Sequence, residues 1–253
     1  MSSATSVAFL FVINDWRANV LKNIEHKIRM NKYYQILNKI LNTGKTQTNR
    51  KGRIRYLLNE RLTLVPGDLL DIFESHGIAR RKLKAELSLF MQGERDVEKY
   101  REAGITWWDF CGHTLVNSYP TYFEKLPPLI DKINNERRNS KNYVLFLGST
   151  GAETNQAPCL SLVQFQIDDG GLIVSAYQRS SDANLGLPSD IYHLYLMSRQ
   201  IDFPLKSITL DIGNVHIYDN NISRTEDLLA GKENIKFELN VWERCICRLL
   251  FRL

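Results

Sequence analysis

Cysteine is scarce in this chain of 253 residues. Cys111, Cys159, Cys245 and Cys247 are the whole set, and they lack the paired spacing of a disulfide framework or a zinc site. Cys245 and Cys247 form only a weak C-x-C pair, so no metal is expected, and a reducing, cytoplasmic setting is. A long apolar run is also lacking. VAFLFVI at residues 7 to 13 is too short to span a bilayer, and it has no basic leader or small-residue cleavage site. It reads as a strand or the start of a packed helix, and no membrane partner is expected. Charge of one sign is not concentrated either: 33 Lys and Arg are interleaved with 28 Asp and Glu, for a formal charge of +5. That bias suits a small anionic ligand at least as well as a polymer, so nucleic acid is not the expected partner. No repeat, low-complexity tract or linker divides the chain. At 43% apolar and 10% aromatic it can bury one core, as a single α/β or α+β domain.

The apolar spacing predicts a helix over residues 16–42 that stops at Asn-Thr-Gly, followed by a polar, basic turn, KTQTNRKGR. Residues 80–104 read as a helix, a break at Gly93 and a second short helix ending at Gly104. NYVLFLGS has strand length and composition. CLSLVQFQI and GLIVSAYQR are strands joined by an Asp-Asp-Gly-Gly turn. SDIYHLYLMSRQI is a helix with Ser189 or Asp190 at its N-cap, and SITLDIGNVHIYD is a further strand.

A cysteine at a strand start is most often a small buried hydrophobe. Here the hairpin-like return would bring Arg179 and Ser180 beside Cys159, where a guanidinium and a hydroxyl would favour the thiolate and hold a phosphate. ANLGLP then supplies a glycine where a planar ring can approach the backbone. A reactive thiol beside an anion clamp describes a nucleotide enzyme.

The blocks APC, QRSSDANLGLP and GNVHIY, in this order and spacing, resemble the thymidylate synthase superfamily. Upstream, GKTQTNRKG resembles its phosphate loop, and AELSLFMQGERDVEKYREAGITWWD its glutamate helix and tryptophan turn. The resemblance covers about residues 33–240, which leaves residues 1–32 as an N-terminal extension and 241–253 as a divergent tail. It implies a three-layer α/β fold with a mixed sheet, one face of which forms a homodimer interface. It implies Cys159 as the nucleophile at C6 of a pyrimidine and Glu86 as the carboxyl that manages protons. Arg50, Arg179 and Ser180 would hold the phosphate, Asp182 and Gly186 the base, and His216 with Tyr218 the sugar. Trp108, Asp109 and Tyr119 or Tyr122 would line the side of the co-substrate, 5,10-methylenetetrahydrofolate. Thiolate addition at C6 makes C5 nucleophilic, and a buried carboxyl with a raised pKa can donate and accept protons. Taken singly, Glu86 reads as well as a solvated helix residue, Trp108 as a core aromatic and His216 as a strand histidine.

The departures from a synthase are specific. After LGLP, synthases carry Phe-Asn, and the Asn amide matches uracil; this chain has Ser189-Asp190. An ionised Asp only accepts, which opposes O4 of uracil but suits the N4 amino group of cytosine, and a shared proton could serve N3. A mispaired buried group costs about 1–3 kcal/mol, enough to discriminate. Aspartate here resembles the deoxycytidylate and cytidylate hydroxymethylases of the superfamily; helix capping is the competing role. Leu160 stands where His is usual, and WERCICRLLFRL replaces the segment that closes over folate, implying a site more open to water. Lys141-Asn142 stands where a partner-chain Arg pair reaches the phosphate, with Arg137 and Arg138 nearby. The expectation is a hydroxymethyltransferase acting on dCMP or CMP with methylenetetrahydrofolate. The retained Ser180 favours dCMP. A synthase acting on dUMP, or a non-catalytic nucleotide- or RNA-binding homologue, are the alternatives.

Overall fold

Period-two alternation does build the centre of the sheet. In the computed structural model, which describes residues 31–49, 51–148, 157–232 and 235–237, β4 (Leu160–Asp168) turns back into β5 (Gly171–Gln178). The turn residues Asp169 and Gly170 both have positive φ, 44° and 68°, as a tight hairpin whose twist matches its strands requires. Before this hairpin come α1 (Lys32–Thr43), β1 (Lys45–Asn49), β2 (Gly52–Leu64), α2 (Pro66–Ser75) and α3 (Arg80–Met91). After them come α4 (Val97–Glu102), α5 (Tyr119–Phe123), α6 (Leu126–Glu136) and β3 (Val144–Phe146). Beyond it lie the short β6 (Ser181–Asp182), α7 (Gly186–Ser198), β7 (Leu205–Tyr218) and α8 (Ile222–Leu229). The break at Gly93 is present, with φ of 70°. The part of the expected first helix before residue 31 lies outside the described residues.

Two expectations are corrected. KTQTNRKGR is not a plain turn. Lys45–Asn49 pairs antiparallel with β2, from Asn49 opposite Gly52 to Lys45 opposite Tyr56. Its almost wholly exposed, polar side chains hide the strand from any alternation test and suit the sheet edge it occupies. Neither Ser189 nor Asp190 caps a helix, because α7 already begins at Gly186, with Leu185 at the cap position. Ser189 Oγ instead donates to the Leu185 carbonyl at 2.8 Å.

The strands form one seven-stranded mixed sheet in the order β1-β2-β7-β5-β4-β3, with β6 also paired to β7. The β5–β7 and β6–β7 pairs are parallel and the others antiparallel. Leu62, Leu64, Val163, Phe165, Val174, Ile208 and Leu210 point into the core. The opposite face is mixed: Thr63 and Thr209 share a hydrogen bond, Arg61 holds Asp211 through two nitrogens, and Phe146 is 67% exposed. Against the core side lies α7, and α3 packs on α7, giving three layers.

The seventh helix is apolar on several sides: Leu187, Pro188, Ile191, Leu194 and Met197 are all buried. A helix of this kind belongs inside a protein, so any ionisable group on it loses water. Among the described residues no helix is long and apolar enough to cross a membrane, and no group of metal-ligating side chains occurs.

Tyr33 ties the first helix to the loop that precedes α7. Its single hydroxyl proton goes to the Ala183 carbonyl at 2.7 Å, so His76 Nε2, also at 2.7 Å, is the donor to its oxygen. Tyr33→Phe should therefore cost about 1–3 kcal/mol in denaturant unfolding, since two buried polar groups lose their partner. Unchanged stability would show that the bridge contributes nothing.

Candidate active site

The site forms where the β4–β5 hairpin, α3 and α7 converge. Cys159 immediately precedes β4, and its backbone N–H donates to the Tyr119 hydroxyl at 3.1 Å, as does that of Leu160 at 3.2 Å. The Arg179 N–H donates to the Cys159 carbonyl at 2.9 Å, which closes the hairpin at its open end. This return sets Ser180 Oγ 3.7 Å from Cys159 Sγ. The Arg179 guanidinium spans the carbonyls of Pro158 (3.1 Å) and Ala157 (2.9 Å) and reaches Ser180 Oγ at 3.4 Å. Thiol, hydroxyl and guanidinium thus share one corner. Gly213 on β7 allows this approach, because a Cβ there would stand 2.9 Å from the Arg179 carbonyl oxygen and 3.0 Å from the Tyr177 hydroxyl.

Glu86 is only 3% exposed on the inner face of α3. Its Oε1 accepts from the indoles of Trp107 and Trp108, each at 2.5 Å. Asp190, one turn into α7, accepts on Oδ2 from Gln178 Nε2 at 2.5 Å. Desolvation pushes Glu86 up to about 7 against the opposing pull of the two indoles, and the charge of Asp190 adds to the rise. Asp190 is itself pushed up to about 7 by desolvation, which the Gln178 bond only partly offsets. Two neighbouring carboxyls that both resist ionisation can hold and hand over a proton near neutral pH. The Tyr119 phenol beside them keeps its proton firmly, because burial and the nearby Asp190 and Cys159 disfavour its anion.

His216 and Tyr218 stand two residues apart on β7, so their rings share one face, 5.1 Å between centroids at 86°. Burial pushes His216 down to about 4, and its Nδ1 lies 3.1 Å from Asn214 Oδ1. Asp182 sits on β6 opposite His216 and accepts from the Asn184 N–H at 2.9 Å. Gly186 opens α7 with room beside it: an added Cβ would lie 3.5 Å from Ser181 Oγ.

Not every expected residue joins this cluster. Asp109 is buried at 1% exposure, with Oδ1 bound to Arg101 Nε at 2.9 Å and Oδ2 without a hydrogen-bond partner. Lys141 is exposed in the turn before β3, and its carbonyl accepts from Gln164 Nε2 at 3.4 Å. Five strand residues, roughly 17 Å, separate Gln164 from Cys159. Arg50 lies outside the described residues, as does the tail after residue 237. Trp107, Gln178 and His193 are in the cluster but were not singled out from sequence. Trp107 and Gln178 lie inside the quoted blocks, and His193 is three residues from Asp190, the spacing that puts two side chains on one helix face.

The folded state keeps protons on Glu86 and Asp190 at pH values where the unfolded chain has released them. Their stabilisation is present below about pH 4 and is lost as pH rises through about 7. Glu86→Gln should accordingly unfold at higher denaturant than wild type at pH 8, by about 2–3 kcal/mol, with a smaller gap at pH 5. An equal gap at both pH values would contradict the raised pKa.

A family model described as thymidylate synthase matches residues 31–246.

Proposed function

This chain belongs to the thymidylate synthase family, whose chemistry is folate-dependent one-carbon transfer to a pyrimidine nucleotide, and on that premise we propose that it hydroxymethylates cytosine nucleotides. The net reaction joins dCMP, 5,10-methylenetetrahydrofolate and water to give 5-hydroxymethyl-dCMP and tetrahydrofolate. Asp190 carries this reading. It is free of capping duty, is held from one side by Gln178, and lies within the Cys159–Glu86 cluster. Its carboxylate accepts from the N4 amino group of cytosine and, when protonated, can donate to N3. Against uracil the ionised form faces O4, acceptor to acceptor.

In this reading the Cys159 thiolate adds at C6, which makes C5 the nucleophile. Tyr119 fixes the backbone beneath the thiol, and Glu86 takes and returns protons. Arg179 and Ser180, with Arg50, hold the phosphate, while His216 and Tyr218 bind the sugar, with Asp182 and Gly186 at the base. The co-substrate supplies the one-carbon unit. The residues present suit a planar heterocycle bearing N–H donors: Trp108 and Phe110 offer neighbouring rings 6.1 Å apart, beside the unpartnered Asp109 Oδ2. The same reading has a cytoplasmic homodimer that meets through the sheet face opposite α7 and brings Lys141 to the partner's phosphate. The exposed Phe146 and Tyr177 on that face support it.

Incubation with methylenetetrahydrofolate and dCMP, CMP or dUMP, with products weighed by mass spectrometry, tests the proposal. The expected product is a hydroxymethylated cytosine nucleotide. Methylated dUMP as the main product would return the chain to a synthase, and no product from any would make it a binding homologue.

With dCMP and dUMP in competition, Asp190→Asn should lose roughly 10- to 100-fold in the dCMP preference, the equivalent of one mispaired buried group. The wild-type preference should rise as pH increases through about 7, where the Asp190 proton is lost. A preference unmoved by both substitution and pH would remove Asp190 from base recognition.

A further inference from the structure

His193 is buried at 6% exposure in the middle of α7, where a histidine needs a reason to be. Its Nε2 lies 3.0 Å from the Leu83 carbonyl oxygen and 3.3 Å from Glu86 Oε2. A carbonyl oxygen only accepts, so this nitrogen carries the proton and the ring is the Nε2–H tautomer. Leu83 and Glu86 are three residues apart on α3, and Asp190 and His193 three apart on α7. Each pair shares a helix face, and the two faces meet. Both acceptor directions of Glu86 Oε1 are taken by the indoles of Trp107 and Trp108. Beside Oε2 stands the His193 ring nitrogen, whose N–H is directed at Leu83 O. A carboxylate has about four acceptor sites, so the two indole N–H donors leave those of Oε2, beside the His193 edge.

We propose that His193 is a positioning residue for Glu86: its ring, held by the Nε2–H bond to Leu83 O, sets the positive end of that N–H dipole 3.3 Å from Glu86 Oε2, which fixes the carboxyl rotamer and, with Oε1 occupied by the indoles, leaves the exchangeable proton on Oε2. Asp190 faces Glu86 from the same helix, and Tyr100 from α4 senses its charge. Of these groups His193 sets a ring nitrogen against Oε2, at 3.3 Å. Burial keeps His193 neutral, with its ring pushed down to about 4, so it acts as a dipole at neutral pH and adds no charge. The inference rests on Glu86 as the proton-handling carboxyl of the proposed reaction, but it is indifferent to which pyrimidine is the substrate.

The test has two arms. In the first, His193→Leu removes the donor, whereas His193→Asn retains an N–H. The Leu variant should lose about tenfold in kcat, part of what general acid–base catalysis contributes, with nucleotide KM nearly unchanged. Its inflection near pH 7 in kcat should move up by about half a unit to one unit, because the ionised carboxyl has lost the N–H dipole beside it. The Asn variant should recover most of both. An unmoved inflection, or parallel changes in kcat and KM, would make His193 a packing residue only. The second arm uses substrate-free protein and holds even if the Leu variant does not fold. The His193 Nε2 nitrogen resonance of the wild type should shift as pH crosses about 7 and should stay still in Glu86→Gln. A wild-type resonance flat across that range overturns the proposal. A shift that persists while no cytosine product forms would sink the substrate assignment and leave the positioning role intact.

Discussion

The desolvation of two carboxyl groups between α3 and α7 is the constraint on which the rest of this site depends. Because α7 is apolar on several sides, it is driven between the sheet and α3, and Asp190, half-buried at the site, is carried largely out of water with it. Glu86 meets it from α3. Loss of water holds protons on both carboxyls well above the ordinary carboxylate range, and the charge of Asp190 adds to the rise at Glu86. Removing isolated charges from water costs several kcal/mol, which here is moderated by N–H donors from Trp107, Trp108 and Gln178.

The division of labour follows from which elements bring each group. The hairpin delivers the thiol, the hydroxyl and the guanidinium within a few ångströms, at the sheet end where β5 pairs parallel with β7. Tyr119, stacked on Phe90 of α3 at 5.2 Å, joins the start of β4 to the helix that carries Glu86. Nucleophile and proton-handling carboxyl therefore sit on different elements whose spacing is set by aromatic packing. Loosening Phe90 or Tyr119 would move one against the other.

The sequence made some of this legible and hid the rest for physical reasons. Leu160–Gln178 announces itself because one face of each strand is buried and two residues with positive φ join them. The edge strand Lys45–Asn49 has no buried face, so no alternation marks it, and Asn59 with φ of 57° interrupts the regular run of β2. The start of α7 was misread because Asp and Ser are common caps, while the Leu185–Gly186 start offers no capping side chain. Ordered blocks around Cys159 and Glu86 pointed to the family. Trp107, Gln178 and His193 are not marked in the sequence, since Trp107 and Gln178 donate to carboxyls of the site and His193 sets its ring against one, roles that depend on which elements meet in space.

The central claim is that Glu86 and Asp190 form one coupled, desolvated pair. Carbon-13 titration of the side-chain carboxyls in substrate-free protein tests it most directly, with Glu86→Gln and Asp190→Asn supplying the assignments. The account predicts two carboxyls that titrate near pH 7, with Asp190→Asn lowering the Glu86 midpoint. Midpoints near 4 for both, unaffected by the other's removal, would contradict it.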